Sequence, residues 1–189
     1  MTQITTGIVF KKSDYGDYDG CYTIYTRDFG KINAIAKGTK KVTSKLCGNL
    51  EPYSAVELML AQGARLKRIA AVKTINNYSS IKKDLVKIVI ASYFIESVDN
   101  LTVWEAEDGR NFDLLLQFLT ALDQDIDYRN AFLLLNKNIF ELLKYLGYEP
   151  EIGAKSQQLL LNAFNRLIVE TAEKEMKSFT LLDKVLAQA

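Results

Sequence analysis

The chain contains no histidine, two cysteines and two prolines among its 189 residues. Without histidine there is no imidazole to act as general base near neutral pH and none to ligate a metal. Hydrolase triads built on histidine are therefore excluded. Cys21 and Cys47 lie far apart and form neither a disulfide framework nor a zinc motif, so a reducing compartment and no bound zinc are expected. Long apolar runs are missing too. The most apolar stretch, 85–95, is interrupted by Lys87 and too short to span a bilayer, and the opening residues carry no basic leader. The expectation is a soluble, untargeted protein of a reducing compartment without membrane contact.

What remains is ordinary globular material, 48% hydrophobic, with a net charge of +1 that hides an asymmetry. Residues 1–80 hold 12 Lys and Arg against 6 Asp and Glu, while 81–189 hold 12 against 17. Such a division suggests that the first half meets a polyanion and the second does something else.

The first half alternates as strands do: 7–11, 22–27, 31–36, 50–60 and 65–75 are rich in β-branched and aromatic residues and separated by turn signals such as Asp28-Phe29-Gly30 and Gln62-Gly63. Five strands in so short a span fit a small barrel of the OB type, with a short helix expected between Gly38 and Asn49. After Ser80 the apolar period lengthens. Ile81, Leu85, Val89 and Tyr93 predict one long buried helix capped by Ser79 or Ser80. Phe112, Leu115, Leu119 and Leu122 predict a second helix; Phe132 to Leu146 predict a third, ending at Gly147. Leu160, Phe164, Leu167 and Thr171 predict a fourth, and 181–186 a short last one. The fold class is α+β: an N-terminal five-stranded OB-fold barrel over residues 1–80, followed by an all-α helical domain over 81–189.

Chemistry is sparse. Asp14, Asp17 and Asp19 alternate as in a calcium loop, but Gly16 and Gly20 account for the segment as a turn, and a metal-dependent nuclease would need acids held on rigid elements. Asp123, Asp125 and Asp127 read as a helix connection. Gly38-Thr39-Lys40-Lys41 lacks the preceding glycine of a phosphate loop. No catalytic residue, cofactor or metal is assigned, and no enzyme activity is expected.

The basic residues are more informative. Lys31, Lys37, Lys40, Lys41 and Lys45 succeed one another with no acid between Asp28 and Glu51, a footprint suited to phosphates. Tyr25 and Arg27 share the strand face opposite Tyr22 and Ile24 and are the candidates for stacking on a base. Six phosphate contacts from Arg27, Lys31, Lys37, Lys40, Lys41 and Lys45 would give a log–log salt slope of roughly −4 to −5.

Gly7-Ile8-Val9-Phe10-Lys11, Asp14-Tyr15-Gly16, Asp19, Tyr25 through Lys31, Ala36-Lys37-Gly38, Leu50-Glu51-Pro52-Tyr53-Ser54, Ala91-Ser92-Tyr93 and Leu146 through Pro150 occur here in that order. In order and spacing, the chain resembles the RecO family of DNA repair and recombination mediators. The resemblance implies an OB-fold and a helical domain, binding of single- and double-stranded DNA, annealing of complementary strands, and loading of RecA with RecR and, in many members, RecF. A rival reading is an interaction adaptor whose barrel meets protein and whose helical domain docks the acidic, hydrophobic tail of the single-stranded DNA-binding protein, with Arg110, Arg129 and Lys137 as the candidate cations. Many members carry a four-cysteine zinc module after the segment matching 147–150. Here Glu151 to Ser156 take that place, and a short form of the family is expected.

Overall fold

The computed structural model describes residues 2–40, 46–63, 65–150 and 156–186. Five strands, β1 (Thr2–Tyr15), β2 (Asp19–Thr26), β3 (Gly30–Ala36), β4 (Ala55–Ala61) and β5 (Lys67–Asn76), close into a barrel in the order β1-β2-β3-β5-β4. All pairs are antiparallel except β3 with β5. This is the OB-fold expected from the alternation.

β1 closes the barrel by serving two neighbours, pairing with β4 through its first half and with β2 through its second. A register shift between Val9 and Lys11 leaves Phe10 as the extra residue, and a bulge of this kind bends a strand far enough to turn the corner. A second shift, between Met59 and Leu60 of β4, steps over Ala70 of β5. Ile69 and Val72, three apart in sequence, can then both meet the core. Inside the barrel pack Val9, Tyr22, Ile24, Ile32, Leu58 and their neighbours, each large apolar side chain stabilising the fold by roughly 1.5–3 kcal/mol on burial.

The expected strand from Leu50 begins only at Ala55. Tyr53 takes a left-handed φ of 68° after Pro52, and the chain there bonds to β1 without forming a regular ladder: Tyr53 N donates to the Val9 carbonyl and Val9 N to the Ser54 carbonyl. Between β3 and β4 the described residues hold one short 3-10 turn, Cys47–Asn49.

Among the described residues six helices follow: α1 (Ser79–Lys83), α2 (Leu85–Leu101), α3 (Gly109–Leu122), α4 (Tyr128–Tyr145), α5 (Gln157–Ala172) and α6 (Lys177–Leu186). The first predicted helix is in fact two. Asp84 adopts an extended conformation and accepts from Val86 N and Lys87 N, so it caps α2 instead of sitting in the first turn of a continuous helix. Neither Ser79 nor Ser80 caps α1. The Asp123 carboxylate does so from outside, accepting from Ser80 N and Ile81 N.

α4 ends as expected. Gly147 stands at φ 86°, Gly147 N donates to the Lys144 carbonyl and Tyr148 N to the Leu143 carbonyl, the paired bonds of a Schellman cap. In α5 the buried line is Leu161, Phe164 and Ile168, which keeps Phe164 of the predicted row, while Leu160 and Leu167 are only partly buried beside it.

The described chain forms two compact units. One comprises Met1–Asn77 with Val103–Leu116, and the other Tyr78–Thr102 with Gln117–Ala189. In the helical unit α2 is buried on most sides, packed against α4, α5 and α6. Phe94 meets Phe118 at 4.2 Å between ring centroids. The buried Lys87 ammonium donates to the Gln124 carbonyl at 2.6 Å. Among the described residues no helix is long and apolar enough to cross a membrane.

Candidate nucleic-acid interface

Residues 103–116 account for the surroundings of three expected site residues. Tyr25 is 1% exposed, stacked on Phe10 with centroids 5.7 Å apart and hydrogen-bonded to Asn111. A ring so enclosed offers no face to a base. Burial pushes its phenol up to about 12, with the Asp108 charge adding to the rise and the Asn111 bond opposing it.

Arg27 donates to Asp113, and its guanidinium lies 5.3 Å from the centroid of Phe112. Lys31 is 3% exposed, its ammonium 4.7 Å from the centre of the Trp104 ring. Its carbonyl accepts from Glu105 N, and its backbone forms a parallel bridge to Trp104.

The remaining basic residues are placed differently. Lys40 is paired with Asp14 at 3.1 Å and donates to the Gly16 carbonyl, an exposed contact of small energy that a phosphate could replace. Lys37 is exposed. Lys41 and Lys45 lie outside the described residues.

Beside Lys37 opens a cleft of about 570 Å³, lined by Tyr15, Asp19, Ile35, Lys37, Gln62, Gly63, Arg65, Leu66 and Arg68. The parallel register of β3 and β5 builds it. Pairing Ala34 with Lys67 and Ile35 with Arg68 brings the first cations of β5, and Arg65 just before them, alongside the end of β3. Asp19 is engaged at the rim, its carboxylate accepting from Gly38 N at 2.8 Å. A neighbouring cleft of about 500 Å³ shares Gln62, Arg65 and Leu66 and adds Asn33, Lys67, Trp104 and Glu105.

The sequence reading does not single out Arg65 and Arg68, although 65–68 is itself a basic cluster beside the Gln62-Gly63 turn. The charge contrast between halves is also softened by the fold. Residues 1–77 with 103–116 carry 13 Lys and Arg against 10 Asp and Glu, because Glu105, Glu107, Asp108 and Asp113 come with the returning segment.

In the helical unit, Arg129 borders a mainly apolar groove of about 350 Å³ formed by α4 and α5, lined also by Phe132, Leu133, Asn136, Gln157, Gln158 and Leu161. Lys137 is exposed on α4 and is not among these lining residues. Arg110 belongs with the barrel unit, close to Asp108 at 3.9 Å. Two acids of the α3–α4 connection are structural: Asp123 caps α1, and Asp127 caps α4 by accepting from Asn130 N. Among the described residues no three His, Cys, Asp or Glu side chains gather to hold a metal ion. The segment expected in place of a zinc module, Glu151 to Ser156, lies outside the described residues except for Ser156, the N-cap of α5.

A closed five-stranded barrel of this strand order, with a basic cleft against its β4–β5 connection, defines an OB-fold protein carrying a helical unit. Two family models match it, "Recombination protein O N terminal" over residues 1–78 and "Recombination protein O C terminal" over residues 82–156. Proteins named "DNA repair protein RecO" are similar to it: that of Syntrophus aciditrophicus (strain SB) is 34% identical over 155 residues, covering 80% of this chain and 58% of the relative. That of Roseiflexus sp. (strain RS-1) is 35% identical over 166 residues, covering 86% and 56%. That of Clostridium perfringens (strain 13 / Type A) is 35% identical over 146 residues, covering 75% and 57%. The chain belongs to the RecO family of DNA repair proteins. It spans a little over half the length of these curated relatives.

Proposed function

We propose that the chain is a DNA repair and recombination mediator without catalytic activity, which holds DNA in the barrel cleft, anneals complementary strands and helps load RecA together with RecR, with RecF as a further partner. The observation that carries this reading is the cleft itself. Lys37, Arg65 and Arg68 stand around Tyr15 and Ile35, so cations for phosphates lie beside apolar surface for bases. Three or four phosphates neutralised there on a single strand correspond to a log–log salt slope of roughly −2 to −3.

Annealing by this route needs no bond chemistry. Neutralised strands repel one another less, and base pairing supplies the driving force. Binding of single strands is the first step, and double-stranded DNA is the product released or retained. The bacterial cytoplasm is the compartment in which such partners occur.

A strand-annealing assay over a salt series, with and without the single-stranded DNA-binding protein, tests this. Acceleration that falls steeply as salt rises is expected. A rate equal to the protein-free control at every salt concentration counts against the reading.

A second reading is favoured by the α4–α5 groove: an adaptor that docks the acidic, hydrophobic tail of the single-stranded DNA-binding protein, with little DNA binding of its own. Phe132, Leu133 and Leu161 offer apolar walls, Arg129 offers charge, and the buried Asn136 Oδ1 has no hydrogen-bond partner among the described residues. A labelled tail peptide should bind, and Arg129→Ala should weaken it about ten-fold, the loss of one charge-assisted contact. Peptide binding indifferent to Arg129→Ala and to Leu133→Glu removes the groove from consideration.

A further inference from the structure

We infer that Trp104 is a base-stacking subsite for single-stranded DNA, placed by the returning segment 103–108 at the edge of the barrel cleft. The inference rests on the reading of that cleft as a nucleic-acid groove and adds to it a residue outside the barrel strands.

Trp104 is the sole tryptophan of the chain, and it is 50% exposed. An indole left so open is a cost in water that a ligand's flat apolar face would relieve. Its neighbours hold it in place. The Lys31 ammonium lies 4.7 Å from its ring centre, its backbone bridges to Lys31, and the next residue's N–H donates to the Lys31 carbonyl at 2.9 Å. A ring fixed this way loses little freedom when a base stacks on it, which favours binding.

The surroundings select the ligand. The cleft that Trp104 lines sets Asn33, Gln62, Arg65 and Lys67 against one acid, Glu105, a balance suited to phosphates and base edges more than to an apolar peptide. Arg65 also lines the adjoining cleft with Lys37 and Arg68. One strand can therefore be held by its phosphates along both clefts while a base rests on the indole. A duplex keeps its base faces stacked and cannot use the subsite, so the contribution of Trp104 belongs to single strands.

The sole tryptophan is its own reporter. The full chain is titrated with a labelled deoxythymidine oligomer at low salt, reading label anisotropy and indole emission together. Saturable quenching of the emission that tracks the anisotropy is expected. Trp104→Ala should lower affinity for the oligomer about ten-fold, Trp104→Phe should restore most of it, and duplex affinity should not move.

In case the alanine variant folds poorly, the unmutated chain is also titrated with oligomers in which all bases are replaced by abasic sites. These keep the phosphates, and quenching should vanish while binding persists. Binding with unchanged emission, or equal affinity in Trp104→Ala, overturns the subsite and leaves the cleft reading intact. Absence of any oligomer binding by anisotropy overturns the cleft reading, and the subsite with it.

Discussion

Gly30 faces Ala106 so closely that a Cβ on the glycine would stand 1.9 Å from the Ala106 carbonyl oxygen. Gly30 also holds a φ of 60°, which other residues adopt at a cost of about 1 kcal/mol or more. Gly30→Ala should therefore lower stability by roughly 1–3 kcal/mol and separate residues 103–108 from the β2–β3 hairpin. Urea unfolding and hydrogen exchange at Glu105 N, which donates to the Lys31 carbonyl, measure both effects. Unchanged protection of that amide would contradict the packing described.

Arg65 and Arg68 are exposed, so their loss should affect binding and spare the fold. Arg65→Gln with Arg68→Gln should reduce the salt slope for a single strand by about 1.4, two phosphates at roughly 0.7 each. The unfolding free energy from urea titration should stay within about 0.5 kcal/mol of the parent's. A slope that does not change places the DNA elsewhere.

Tyr25 gives the barrel unit an alkaline limit. Its phenol is raised from near 10 to about 12 by burial, so the folded state favours the protonated form. The stability this contributes is complete below pH 10 and is lost as pH rises through 12. Tyr25→Phe should cost about 1 kcal/mol at about pH 8 for the missing hydrogen bond, and its unfolding free energy should fall less than the parent's between pH 10 and 12. Burial also raises Tyr78 and Tyr93, a background common to both proteins that the difference removes. Parallel pH curves would show that Tyr25 titrates normally.

Glu96 of α2 starts α6. Its carboxylate accepts from Lys177 N at 3.1 Å, from Ser178 N at 2.8 Å and from the Ser178 hydroxyl. Glu96→Ala should cost about 1–2 kcal/mol, as removal of an N-cap acceptor does, with exchange accelerated first at the amides of α6. An α6 as well protected as in the parent would show that its cap is dispensable.

The barrel was legible because its strands alternate: Tyr22 and Ile24, then Ile32, Ala34 and Ala36, point inward at every second residue. The helices were legible where one apolar face recurs, and the α2 boundary was not. Ile81 and Leu85 keep the helical period across Asp84, and periodicity cannot reveal that an aspartate between them turns extended and caps the next helix. The surface was harder. Neighbouring lysines in sequence suggested one continuous basic patch, yet Lys31 is buried beneath Trp104 and Arg27 is paired with Asp113. Both partners come from a segment beyond the first two helices, and no local pattern announces that return. Lys40 meets Asp14 by another long-range route, the pairing of β1, β2 and β3. The cleft cations Arg65 and Arg68 gain their meaning from the β3–β5 pairing, itself a long-range event.

That return shapes how the protein can be made and cut. Because 78–102 belongs with the helices while 103–116 belongs with the barrel, a ribosome that has released only the first strands has not yet supplied Asn111 to Tyr25 or the indole to Lys31. A truncation between residues 77 and 103 would leave the amino-terminal fragment with Tyr25 uncovered and a lysine stripped of its aromatic neighbour. The shortest autonomous barrel is thus expected to extend through residue 116, and gene fusions that swap the helices should keep that stretch with the strands.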